Sequence, residues 1–147
     1  MTTATFSALD HSRLQAATST TAIWSGRFLS ALAVLFLTFD TVIKVLRLPV
    51  ALAATAQLGF TDNAAFAIGV IEAACLVLYL VPRTSALGAV LWTGYLGGAI
   101  ATHIRAASPL VTHALFPIYV AALLWIGLWL RNDRIRRIVR AAFEAAA

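Results

Sequence analysis

The sequence predicts an all-α fold, a bundle of four transmembrane helices with both chain ends on the cytoplasmic side. Three observations predict it. Of 147 residues, 61% are hydrophobic and 12% charged, at a mean hydropathy of +0.88, which leaves too little polar surface to cover a soluble domain. Four long apolar stretches take up most of the chain between Gly26 and Arg131. The basic residues are unevenly shared between the two sides those stretches define. With the N-terminus inside, the inner segments hold Arg13, Arg27, Arg83, Arg131, Arg134, Arg136, Arg137 and Arg140, and the outer segments only Lys44, Arg47 and Arg105.

Residues 1–25 are rich in Thr, Ser and Ala and lack an apolar run, so they read as a mobile cytoplasmic arm with Trp24 as an interface anchor. An apolar run that begins only at Phe28 starts too late for a cleaved signal peptide. The membrane domain is then 26–131 and an amphipathic tail 132–147. Span one is expected over 27–48. It is strictly apolar only to Phe39, and about a dozen residues cannot cross a core of roughly 30 Å, so it must carry Asp40 and Lys44 inside. Ser30, Ala33, Leu37, Asp40, Lys44 and Arg47 recur on one helical stripe, the expected bundle-facing side. Residues 49–58 form a short helix, with Pro49 in its first turn and Gly59 past its end, at the outer interface or over the bundle mouth.

Span two covers 63–81 and is apolar except for Glu72, whose face includes Gly69, Cys75 and Tyr79. Span three, 85–103, carries Gly94, Gly98 and Thr102 as a ridge of small residues suited to close helix contact, within this bundle rather than at a dimer seam. Span four, 113–130, has no charge, with Pro117 in its first turns and Trp125 and Trp129 towards its far end. Asp133 is placed to cap a last helix in which Ile135, Ile138, Val139, Ala142 and Phe143 form an apolar face opposite the arginines. That pattern describes a basic helix lying on the membrane, with Arg134, Arg136, Arg137 and Arg140 binding anionic lipid.

The net charge of +5 does not indicate nucleic acid, because five arginines crowd the tail directly after span four, where topology and lipid demand them. Arg outnumbers Lys ten to one and Ala is abundant, as in a GC-rich bacterial genome, which suggests a bacterial inner membrane. Cys75 is the sole cysteine, a small buried hydrophobe with no partner for a disulfide and no zinc or cluster spacing.

Depth brings the polar residues together. Asp40 and Lys44 lie in the outer half of span one, Glu72 and Tyr95 near mid-depth, and His103 and Arg105 at the outer end of span three. Each ionisable group in a span costs at least about 2.5 kcal/mol. A basic residue should therefore sit within reach of Glu72 or Asp40, Lys44 as the partner of Asp40 at i, i+4 and Arg105 bending back towards Glu72. A lone mid-membrane glutamate suits a proton carrier. His103 and His113 flank the outer loop and read as interfacial residues rather than haem or metal ligands.

Several stretches also carry a family resemblance: Gly26-Arg27, ATAQLGF (54–60), GVIEAACLVLYLVPRTSALGA (69–89), TGYLGGAIATHIR (93–105), HALFPIY (113–119) and LWIGLWLR (124–131). Over roughly Ser25 to Asp133 the chain resembles the DoxX-like family of small bacterial four-helix membrane proteins, most specifically in TGYLGGAIATHIR. The resemblance implies a four-helix bundle and polar positions at Glu72, His103 and Arg105. Relatives are linked to quinone-coupled respiratory and sulfur-oxidising complexes. The expected function is thus an accessory subunit of a membrane redox system that binds a quinone-like head group or passes protons to it, with electrons from a partner protein. Tyr95, His103 and Glu72 are expected to hydrogen-bond the carbonyl oxygens, and Arg105 to steady developing negative charge. The rival readings are a small transporter or channel lined by Glu72 and the Asp40–Lys44 pair, and a scaffold or assembly factor using the glycine ridge and the tail, with a homo-oligomer among the partner expectations.

Overall fold

The computed structural model describes residues 20–145, which are helical apart from short connections. The order is α1 (Thr20–Val45), α2 (Pro49–Gln57), α3 (Asp62–Leu80), α4 (Ser85–Arg105), a π-helical turn (Leu110–Ala114), α5 (Phe116–Arg131) and α6 (Asp133–Ala145). Among the described residues, four segments are long and apolar enough to cross a bilayer: α1, α3, α4, and the π turn joined to α5. Even α3, with 19 residues, reaches about 28 Å at 1.5 Å per residue, close to the hydrocarbon thickness. The protein is a multi-pass membrane protein built as a four-helix bundle.

Helix-to-helix contacts fix the up-and-down order. At one end Gly26 of α1 lies against Leu130 and Arg131 of α5. Further along, Ser30 Oγ is 3.2 Å from Tyr79 Oη of α3, which donates to the Leu124 carbonyl of α5 at 3.0 Å. Near the other end Phe36 meets Phe116 edge-on, with centroids 5.1 Å apart. One end, here the tail end, therefore carries the start of α1, the α3–α4 turn and α6. The opposite, loop end carries α2 and the π turn. The tail-end half is filled by Tyr79, Trp92, Leu124 and Leu128, all almost without solvent exposure.

Glycines let the helices close at particular points. A Cβ on Gly88 would overlap the backbone of Tyr79, its Cα at 2.6 Å, and one on Gly127 would meet Ser30 Oγ at 2.5 Å. These two, with Gly26, supply the close approaches of the tail-end half. The ridge expected to do so does not: a Cβ at Gly94 or Gly98 meets nothing within 4 Å. The physical reason is that this face of α4 borders a cavity rather than a helix.

The boundaries differ from expectation in three places. α1 begins at Thr20, so residues 20–25 are helix rather than mobile arm, while the rest of that expected arm, residues 1–19, lies outside the described residues. α1 also ends three residues before the expected 48. Arg47 turns into the left-handed region (φ 52°), and Leu48 is extended ahead of Pro49, as the residue before a proline prefers. Arg47 thus leaves the bundle-facing stripe and lies over the Phe66 ring at 4.7 Å. Finally, Asn132 rather than Asp133 caps α6, its Oδ1 accepting from the Arg134 amide at 3.1 Å, while Asp133 pairs with Arg136 from inside the first turn.

Candidate functional site

The site starts from Gly69. A Cβ there would stand 2.9 Å from Lys44 Cβ and 3.0 Å from the Val45 amide, so only a glycine lets α3 close on the end of α1 at this level. Glu72 follows one turn later on the same face of α3, with Cys75 and Tyr79 beyond it. The approach brings Lys44 Nζ to 2.5 Å from Glu72 Oε1 while Nζ also holds Asp40 Oδ2 at 2.7 Å, so one cation joins two carboxyl groups. From α4, Tyr95 donates its hydroxyl to the same Glu72 Oε1 and accepts from Lys44 Nζ at 3.3 Å. The Lys44 ammonium stands 5.9 Å from the Tyr95 ring centre, and the Trp92 ring meets Tyr95 edge-on at 5.3 Å. Three helices thus share one hydrogen-bonded cluster.

Exposure orders the cluster from inside to outside. Glu72 is fully buried, the Lys44 side chain is 12% exposed and Asp40 29%. Glu72 Oε2 is buried and has no hydrogen-bond partner. Lys44 pairs with one oxygen of each carboxyl group, which lowers the cost of keeping charge at this depth.

Above the cluster lies a cavity of about 730 Å³, within the size range of small-molecule pockets. Its polar floor is Asp40, Lys44 and Tyr95. Phe36, Phe60 and Phe116 supply aromatic walls, and α2 borders it through Ala54, Thr55, Gln57 and Leu58. The α4 wall is Gly94, Gly98 and Thr102, where absent side chains leave the volume open. Thr102 turns its hydroxyl back to the Gly98 carbonyl at 2.9 Å.

The structure brings together Asp40, Lys44, Glu72 and Tyr95, and it corrects the expected placement of Glu72 and Arg105. Glu72 does not line the cavity; it stands behind Lys44 and Tyr95 and is hydrogen-bonded to both. Arg105 does not reach Glu72. It does not line the cavity and donates to the Leu58 carbonyl at 2.7 Å, tying the end of α4 to the connection after α2. Lys44 fills the place expected for Arg105, because the Gly69 approach sets α3 directly against α1 at Lys44. His103 does line the cavity, with Nδ1 3.2 Å from Ser108 Oγ, and its ring centre is 6.0 Å from that of His113. The sequence reading placed Gly69 on the Glu72 face but not against Lys44, and it missed the aromatic walls; a glycine one turn before an intramembrane acid was the available signal for the contact.

At the tail end, Arg134 and Arg137 are exposed on α6, Arg136 pairs with Asp133, and the Arg140 side chain lies outside the described residues.

Comparison with curated proteins and with solved structures yields no match. The sequence profile of the DoxX-like family matches residues 28–127, which takes in most of α1 through most of α5 and every residue of the cavity. The chain belongs to the DoxX-like family.

Proposed function

We propose that this protein is an accessory subunit of a membrane redox system and that its cavity holds the head group of a quinone. The observation that carries the reading is the cavity itself, with a hydrogen-bonding floor of Asp40, Lys44 and Tyr95 under aromatic walls. A quinone needs both, donors for its carbonyl oxygens and flat apolar surface for its ring. Lys44 donates to a carbonyl by giving up its longest contact, the 3.3 Å one to Tyr95, and Asp40 accepts from a quinol hydroxyl. His103 offers a further polar contact at the wall. Glu72 acts as a proton relay from behind, since its unpartnered Oε2 is a free acceptor beyond Tyr95 and Lys44. Electrons pass to or from a partner protein in the same membrane, for which we favour the bacterial inner membrane. A transporter would need a path to both faces, and the packed tail-end half offers less support for that reading.

The test is purification in mild detergent followed by mass spectrometry of retained quinones, with titration of a short-chain quinone against tryptophan fluorescence. Wild type should retain quinone and show saturable quenching. Lys44→Met, which removes the floor donor, and Gly98→Leu, which fills the cavity, should lose both. Quenching that is equal in all three proteins would sink the proposal.

A further inference from the structure

The geometry points to α6 as an anchor that lies in the surface of an anionic leaflet, the middle of its apolar arc on the bundle and the two edges in lipid. This proposal stands apart from the cavity and its ligand.

Position comes first. α5 ends at Arg131 and α6 begins at Asp133, so α6 starts at the level where the last span leaves the bilayer. Gly26 lies beside Leu130 and Arg131 at that level, and Trp24, 63% exposed, stacks with Arg27 at 5.4 Å. An exposed tryptophan beside an arginine marks a membrane–water boundary.

The apolar arc of α6 is only partly covered by protein. Ile135 packs against the bundle core, but Ile138 and Phe143, at the two edges of the same arc, are 61% and 74% exposed. Water is a poor cover for them, and the bilayer that surrounds the bundle continues past its base. A helix with this pattern lies in the interface plane with its apolar arc in the acyl boundary.

Charge decides which leaflet. Arg27, Arg83, Arg131, Arg134 and Arg137 gather at this end, whereas Asp133 is already paired with Arg136. The exposed Arg134 and Arg137 flank the arc where lipid phosphates stand. A protein partner would have to match this cationic rim and cover Ile138 and Phe143 together; an anionic phospholipid surface does both.

The full-length protein, in a Cys75→Ala background, is spin-labelled at Ile138→Cys or at Phe143→Cys and reconstituted into two kinds of vesicle. One is phosphatidylcholine alone, the other phosphatidylcholine with phosphatidylglycerol. The ratio of oxygen to nickel-chelate accessibility should rise several-fold in the anionic vesicles, and high salt should reverse the rise. Arg134→Gln with Arg137→Gln should weaken the lipid-charge preference by about five-fold per arginine. A ratio equal in the two vesicles, or aqueous in both, overturns the proposal, and the unsubstituted arms decide it even if the double variant fails to fold.

Discussion

Lys44 is the residue on which the cluster turns, because a single ammonium faces two carboxyl groups, one of them fully buried. Removing it leaves Asp40 and Glu72 without a cation, whereas removing the charge of Glu72 leaves Lys44 still paired with Asp40. Lys44→Met should therefore destabilise the protein by about 3–5 kcal/mol, the usual cost of stranding a buried charge. Glu72→Gln should cost clearly less, since an amide oxygen still accepts from Tyr95. Thermal unfolding in detergent orders the two, and the reverse order would show that Asp40 does not hold Lys44. If the cluster relays protons, Glu72→Gln should abolish ligand-coupled proton movement at near-normal stability. A structural cluster would show only the stability change. The polar members were legible because intramembrane charge is expensive enough to stand out in a sequence. Their partners were not. Lys44 and Arg105 both reached the outer half on paper, and only the Gly69 approach selects Lys44.

For the helices, the glycines divide into two groups that sequence alone does not separate. Gly88 and Gly127 sit against backbone or a buried serine, so Gly88→Ala and Gly127→Ala should each cost about 1–3 kcal/mol through overpacking. Gly94→Ala and Gly98→Ala meet open space and should leave the unfolding temperature nearly unchanged while narrowing the cavity. Equal losses at all four positions would mean that α4 packs along its ridge. The G-x-x-x-G spacing in span three is a sound signal that something approaches the helix closely. It does not say whether that neighbour is a helix or a cavity's contents. The short α2 was legible from Pro49 and Gly59, yet its role as a cavity wall depends on Arg105 holding the Leu58 carbonyl. Arg105→Ala should accordingly raise hydrogen exchange across residues 55–60 and leave α1 and α3 protected.

For the whole molecule, orientation remains a matter of charge. Among the described residues, seven basic residues lie with the tail end and three with the loop end, so the tail end should face the cytoplasm. In a Cys75→Ala background, a cysteine at Ala107 should react with an impermeant reagent from outside and one at Arg83 only after permeabilisation; the opposite pattern inverts the topology. The sequence by itself determined the number of spans, their order and the amphipathic tail. It could do so because length, hydropathy and charge asymmetry act locally, and a bilayer imposes them on each segment separately. It also marked Asp40, Lys44, Glu72 and Tyr95, since a polar group in an apolar run must have a reason. Only the tertiary structure decided which of them touch. It set Glu72 behind the cavity, tied Arg105 to Leu58 and left the glycine ridge as a wall. Those outcomes depend on a few ångströms of helix approach, fixed where Gly69 of one span meets Lys44 of another.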